Sequence, residues 1–324
     1  MKLHLLVSLV LTSAMAESDW GKWDKFKGHH QKFYRGLLED QLRFSIFQGN
    51  LRKIDEHNSN FDRGLVTYRL GVNRFADLSE EEFRSMLTFN ASGKSQAASR
   101  SIFEVPEEAK VPTKKDWRDA GAVTPIKDQG TCGGCWSFSV TGSLEGQYFI
   151  KHGELVSFSE QNLIDCAGPK YGLAGCDGGQ LDPAFEYIRD HGIEREADYP
   201  YEESDEDCRQ DNSKVVTRIS SYVDVRPNSE KDLEAAVGLV GPVSVAIDAS
   251  SIQLYESGVY SHSYCSPDDL NHGVLVVGYG TERGVPYWVV KNSWGESFGE
   301  GGYIRMRRGV NQCGIAVQPS YPVL

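Results

Sequence analysis

Two cysteines three residues apart, in the stretch Gln129-Gly-Thr-Cys-Gly-Gly-Cys-Trp136, are side chains whose type and spacing point to chemistry. Such a pair can be a redox dithiol, half of a zinc site, or one structural thiol beside one reactive thiol. A second candidate is His272, followed at a distance by Asn292. The runs Val274-Leu-Val-Val277 and Tyr287-Trp-Val-Val290 read as buried strands joined through Gly280-Thr-Glu-Arg-Gly284, a hairpin with a multi-residue turn centred on Glu282. With a register symmetric about Glu282, His272 and Asn292 face each other on one side of the hairpin. An asparagine oxygen that accepts one ring N–H fixes the imidazole tautomer and leaves the other nitrogen for a nucleophile. A lone histidine beside an asparagine is more often a satisfied structural pair, so the reading depends on a nucleophile in reach.

The elements that must position these groups are legible nearby. Val140, Leu144 and Tyr148 recur every fourth residue, Lys151 and His152 suit a last turn, and Gly153 can end it. A helix from about Cys135 to His152 follows, with Cys135 at its amino terminus. Upstream, from Trp20 to Asn90, the chain has no proline and no cysteine and is rich in helix formers. Glu39, Arg43, Phe47, Asn50, Ile54 and Asn58 fall on one stripe of a single helix. The element Gly71-Val-Asn-Arg-Phe-Ala-Asp77 precedes a helix start in which Ser79 caps and Glu82 completes a capping box. From Thr88 to Lys110 the composition is that of a connector, and a domain boundary is expected there.

Composition narrows the function classes. Lys2, the apolar run Leu3 to Val10 and Ala14-Met-Ala16 read as a secretory signal, too short to span a membrane. Secretion favours disulfides, and seven cysteines leave one unpaired. The net charge is -12. Residues 17–110 hold 15 basic and 15 acidic side chains, against 18 and 31 from Val111 onward, so nucleic acid is not an expected partner. Asn90-Ala-Ser92 is the one N-glycosylation sequon.

Taken together, these motifs resemble the papain family of cysteine proteases, and cathepsin L-like proenzymes in particular, over essentially the full length. The stripe matches that family's ExxxRxxxFxxNxxxIxxxN helix, and Gly71–Asp77 its GxNxFxD element. QGTCGGCW matches the cysteine loop, Asn271-His-Gly273 the histidine segment and Lys291-Asn-Ser-Trp-Gly295 the asparagine segment. Gly134 stands where the family signature has Ser or Ala.

The resemblance implies an α+β papain-like fold with a helical subdomain at about 120–222 and a β-barrel-like one at about 223–317. It further implies a signal peptide at 1–16, a mainly helical inhibitory propeptide at 17–110 lying in the cleft, and a peptidase domain at 111–324. Cys135 would be the nucleophile, His272 the acid and base, Asn292 its orienting partner and Gln129 an oxyanion donor, with Trp294 shielding the His–Asn bond. The other cysteines would pair as Cys132–Cys176, Cys166–Cys208 and Cys265–Cys313. Gln180, Leu181, Ala246, Leu270, Gly273 and Gln318 would line the P2 subsite, Gln318 being polar where cathepsin L has a small apolar residue. The implied activity is a zymogen endopeptidase acting through a thiolate/imidazolium pair and a thioester, with hydrophobic or aromatic P2 preference. No metal or cofactor is expected. Expected partners are protein and peptide substrates, the chain's own propeptide and cystatin-type inhibitors, acting on a monomer in a lysosome or a digestive lumen. The alternative is a catalytically silent binding or storage protein of the same fold.

Overall fold

The computed structural model describes residues 18–89 and 101–324; the expected signal peptide and the sequon lie outside them. Ser18 accepts the N–H of Gly21 and starts α1 (Asp19–His29), which packs on α2 (Leu37–Asp62). Trp23 and Phe26 of α1 meet Phe47, Leu51 and Ile54 of α2 in a buried apolar cluster. The polar members of the α2 stripe have a different task. Asn50 donates to the carbonyls of Ala76 and Leu78 at 2.8 and 3.0 Å, and Asn58 both donates to and accepts from the backbone of Leu70. They hold β1 (Tyr68–Leu70) and the chain after it against the helix. Arg43 reaches Glu82, whose carboxylate closes the expected capping box with Ser79 at the start of α3 (Glu80–Ser85).

Beyond this segment come β2 (Ser101–Ile102), β3 (Lys115–Asp116), α4 (Cys135–His152), α5 (Glu160–Cys166) and α6 (Leu181–His191). Then follow β4 (Ser221–Asp224), α7 (Glu230–Leu239), β5 (Val243–Ile247), β6 (Tyr255–Tyr260), β7 (His272–Glu282), β8 (Val285–Lys291), β9 (Tyr303–Arg307) and β10 (Ser320–Val323). The strands connect in the order β1-β6-β9-β8-β7-β5-β10-β4-β2, with β3 pairing β7. One core lies on the sheet around Trp288, Val276 and Ile304, and a second lies among α4, α5 and α6 around Trp136, Leu144 and Phe185. Cys132–Cys176 and Cys166–Cys208 staple the helical half, and Cys265–Cys313 the sheet half.

Two expectations change. The hairpin turn is not the multi-residue loop read from the sequence: Glu282 pairs with Val285, leaving only Arg283 and Gly284 as the turn. Both have positive φ (49° and 82°), as a two-residue turn that follows the strand twist requires. Because the turn is centred between Arg283 and Gly284 rather than on Glu282, His272 does not lie across from Asn292, and the extra residue of β7 between Val276 and Gly278 shifts the register back by only one. On its other edge β7 pairs with β5, where His272 faces Ile247. The stretch read as a connector is also shorter than expected. Residues 101–102 pair in parallel with β4, and Phe103 is buried, its N–H donating to Asp224. The N-terminal segment thus adds β1 and β2 to the two ends of the strand path, which hydrophobic periodicity did not reveal.

Candidate active site

Cys135 is the first residue of α4 and the only cysteine outside a disulfide. Its Sγ accepts the backbone N–H of Gly273 at 3.3 Å, which brings the thiol to the start of β7 next to His272. Glycine suits position 273, because a Cβ there would stand 3.2 Å from the Cys135 carbonyl and the Trp136 Cα. His272 Nε2 lies 2.8 Å from Asn292 Oδ1. The same Oδ1 also accepts the backbone N–H of Ser293 at 2.9 Å. A backbone N–H can only donate, so oxygen must occupy that position, Nε2 must carry the ring proton, and Nδ1 is left as the free base. The two residues therefore meet by side-chain reach across the ends of β7 and β8 despite the asymmetric register.

Trp294 stacks on His272, ring centroids 4.6 Å apart and planes 26° from parallel, and is buried by Phe298 and by Phe75 and Phe83 of the N-terminal segment. Gln129 is clamped at both ends. Its Nε2 donates to the Cys132 carbonyl at 3.0 Å, and its Oε1 accepts from Ser293 Oγ at 2.7 Å. One amide N–H remains uncommitted by this pattern. Ser293, and Tyr201, whose hydroxyl donates to the Gln129 carbonyl, escaped sequence reasoning. The signal for Ser293 was its place directly after Asn292; Tyr201 left none.

Residues of the expected subsite collect in the helical core. Leu181, Ala246 and Leu270 share one apolar cluster with Cys135 and with Phe89 from the N-terminal segment, while Gln180 is buried and Gln318 is exposed. Thr88 and Phe89 cross the cleft. Thr88 Oγ1 donates to the Gly133 carbonyl at 2.9 Å, and the N–H of Phe89 donates to the Asn271 carbonyl at 3.1 Å. Gly178, at φ 115°, admits this segment so closely that a Cβ there would lie 2.0 Å from the Thr88 carbonyl oxygen. The Gly134 departure has a local counterpart, since a Cβ at 134 would come within 3.0 Å of Ile164 Cδ1.

This cover changes the electrostatics expected from the helix terminus. Burial pushes the Cys135 thiol up to about 11, although N–H donors from Gly273, Trp136 and Cys135 itself act the other way. Burial likewise brings His272 down to about 4, against the opposing bond to Asn292. In the covered cleft the proton stays on sulfur and the imidazole is neutral. Behind the pair, Lys127 bridges Glu145 and Glu160 at 3.0 and 2.6 Å, an ionic cluster whose sequence signal was a glutamate inside an otherwise apolar helix face. Among the described residues no His/Cys/Asp/Glu group is arranged to hold a metal, and no helix is long and apolar enough to cross a membrane.

Residues 111–323 match the papain family cysteine protease, and residues 23–83 match the cathepsin propeptide inhibitor domain. The chain is 48% identical to the cathepsin L-like peptidase of Aedes aegypti over all of both chains. It is 46% identical to digestive cysteine proteinase 1 of Homarus americanus, covering 93% of this chain and 94% of that one. The structure of digestive procathepsin L 3 from Tenebrio molitor larval midgut superimposes with a TM-score of 0.88 at 47% identity, over 95% of this chain and all of the other.

Proposed function

The chain belongs to the papain family of cysteine proteases, as a cathepsin L-like endopeptidase carrying its own inhibitory propeptide, and from that premise we propose which atoms do the work. Cys135 is the nucleophile. Once the cleft opens and water enters, the burial cost falls, and the proton moves from Sγ to His272 Nδ1 to give a thiolate beside an imidazolium. The sulfur attacks the peptide carbonyl; an S–C bond forms and the carbonyl π pair moves to oxygen. The free Gln129 amide N–H and the Cys135 backbone N–H hold that oxyanion. His272 then protonates the leaving nitrogen as the C–N bond breaks, leaving a thioester. In the second half His272 takes a proton from water, the hydroxyl adds to the thioester, and the acid and the thiolate are released. Asn292 keeps the ring in its productive tautomer, and Trp294 keeps water off their hydrogen bond.

The observation that carries this reading is the one unpaired cysteine, held by Gly273 N–H beside the bonded His272–Asn292 pair. Phe89 supports a hydrophobic P2 preference, because an aromatic side chain of the chain itself already packs in the cluster of Leu181, Ala246 and Leu270. Exposed Gln318 belongs on this reading to the pocket rim and tunes rather than sets the preference. The propeptide would span 17–110 and the peptidase 111–324, with processing near Ala109–Val111. A leader at 1–16 and relatives named as digestive proteinases support a lysosomal or lumenal destination for a monomer open to cystatin-type inhibitors.

The test pairs two measurements on processed enzyme. A thiol-alkylating peptide should label Cys135 and stop amide hydrolysis, and Cys135→Ala should fold yet lose roughly 10⁴-fold or more in kcat/KM. Across substrates differing only at P2, Leu and Phe should exceed Asp and Lys by about tenfold or more. Cys135 found in a disulfide of active enzyme, or a preference for Asp or Lys, would overturn the respective assignment.

A further inference from the structure

A small cavity of about 20 Å³ lies behind the His272–Asn292 pair, and Lys127, Glu145, Glu160, Lys291, Asn292 and Ser293 are among the residues that line it. That is room for one water molecule. Two of these residues each carry a buried polar atom without a hydrogen-bond partner: Asn292 Nδ2, a donor, and Glu160 Oε2, an acceptor in its ionised form. Burial raises that carboxyl to about 7, and Lys127 works against the shift by favouring the ionised form. The residues are 3% and 1% exposed, so bulk solvent does not satisfy either atom. The other end of each side chain is already committed. Asn292 Oδ1 serves His272 and Ser293, while Glu160 Oε1 accepts from Lys127 and from the Thr141 hydroxyl.

We infer that one water molecule in this cavity accepts from Asn292 Nδ2 and donates to Glu160 Oε2, making Glu160 a positioning residue for His272. The inference rests on the proposed roles of His272 and Asn292. Its physical content is a tether at the far end of the amide. Rotation of the Asn292 amide would turn Nδ2 toward the imidazole; a bridge to a carboxylate fixed by Lys127 resists that rotation and polarises Oδ1 as an acceptor. Glu160 lies on α5 in the helical half and Asn292 just past β8 in the sheet half, so the bridge also sets the two sides of the cleft relative to each other.

Glu160→Gln tests the polarity. Oε1 must stay an acceptor for Lys127 and Thr141, which turns the new NH2 toward the cavity; the water then accepts from both sides and loses its charge-assisted bond to the carboxylate, and with it the polarisation of the Asn292 amide. Full-length proenzyme would be expressed, processed and assayed as wild type, Glu160→Gln, Asn292→Ala and the double variant. Glu160→Gln should lower kcat about tenfold with KM nearly unchanged, and change kcat by less than about twofold when Asn292 is already alanine. Equal effects in both backgrounds would overturn the bridge. An Asn292→Ala enzyme with wild-type kcat would instead overturn the role of Asn292 on which it rests. If Glu160→Gln does not fold, a high-resolution crystal structure of the wild-type proenzyme decides: density for a water within hydrogen-bond distance of both atoms supports the bridge, and a dry cavity refutes it.

Discussion

Residues 18–89 contain no cysteine and gather their own interior around Trp23, Phe26, Phe47, Leu51 and Ile54, whereas the chain from Val111 onward has three disulfides and two much larger cores. The first region holds its shape through groups that titrate near the surface. Lys53 holds Glu80 below the usual carboxylate range; burial would raise Glu82, but Arg43 and Ser79 hold it below that range too. Burial, together with His29, Lys32 and Arg74, brings His30 down to about 4 despite the nearby Asp77 carboxylate. In the peptidase region the two carboxylates that Lys127 bridges are buried, and covalent links carry part of the constraint. Acid should therefore act first on the inhibitor.

The signs agree. Glu80 and Glu82 are depressed when folded, so their stabilisation is present above the ordinary carboxylate pKa and is lost as pH falls through the depressed values. His30 binds its proton less readily when folded, so its contribution is full above 6.5 and declines between 6.5 and about 4. His272, about 4 while covered, adds the same sign to closure of the cleft.

The largest effect is expected at Phe47 of α2, fully buried against the Trp23 ring of α1, centroids 5.1 Å apart. Phe47→Ala should cost the inhibitor roughly 3 to 5 kcal/mol, much of what so small a core supplies. The proenzyme should then hydrolyse peptides at neutral pH, with the processed enzyme unchanged because Phe47 is no longer part of it. A silent, protease-resistant Phe47→Ala proenzyme would mean that docking, not the segment's own core, holds the inhibitor folded.

A smaller effect is expected at His30, which caps α1 and lies against Phe26 with ring centroids 5.1 Å apart. His30→Gln removes a group that charges between pH 6.5 and 4 and leaves Glu80 and Glu82 in place. The pH of half-maximal self-processing should fall by on the order of half a unit. An unchanged midpoint would assign the trigger to the carboxylates and His272 without His30.

What the sequence revealed of this division follows from the range of each interaction. The α4 helix, the α2 stripe and the Ser79–Glu82 capping box depend on neighbours within a few residues, and each runs as its spacing predicts. The hairpin register depended on one irregularity at Val277 and on a turn fixed by two positive φ values, neither visible as periodicity. His272 and Asn292 nevertheless meet, because each sits near the end of its strand where side-chain reach matters more than register. The added strands β1 and β2 and the crossing of Thr88 and Phe89 are long-range pairings of short polar or mixed segments, which local pattern does not encode. The direction of the Cys135 shift escaped for a related reason. A helix terminus argues for an acidic thiol, and only the covered cleft shows burial to be the larger effect.

The smallest effect should come at Gly134, where the peptidase region departs from its family's signature. The residue has φ -80° and ψ 11°, outside the positive-φ region that favours glycine and in a bridge conformation that L-residues also adopt, so alanine meets little backbone strain. Its Cβ would stand 3.0 Å from Ile164 Cδ1, 3.4 Å from Cys132 Sγ and 3.5 Å from Ser137 Oγ. Only the first is tight, and it is a terminal methyl that can move by a few tenths of an ångström. Against that crowding, replacing glycine narrows the unfolded ensemble by about 0.4 to 1 kcal/mol. Gly134→Ala should thus leave thermal stability within about 3 °C of wild type and kcat/KM within about twofold. Ile164→Val removes the crowding methyl, and the double variant should be more stable than the sum of the single changes predicts. A large loss in Gly134→Ala that Ile164→Val does not relieve would show that the loop before Cys135 needs glycine for a motion, and that the peptidase region is less rigid beside that thiol than its disulfides imply.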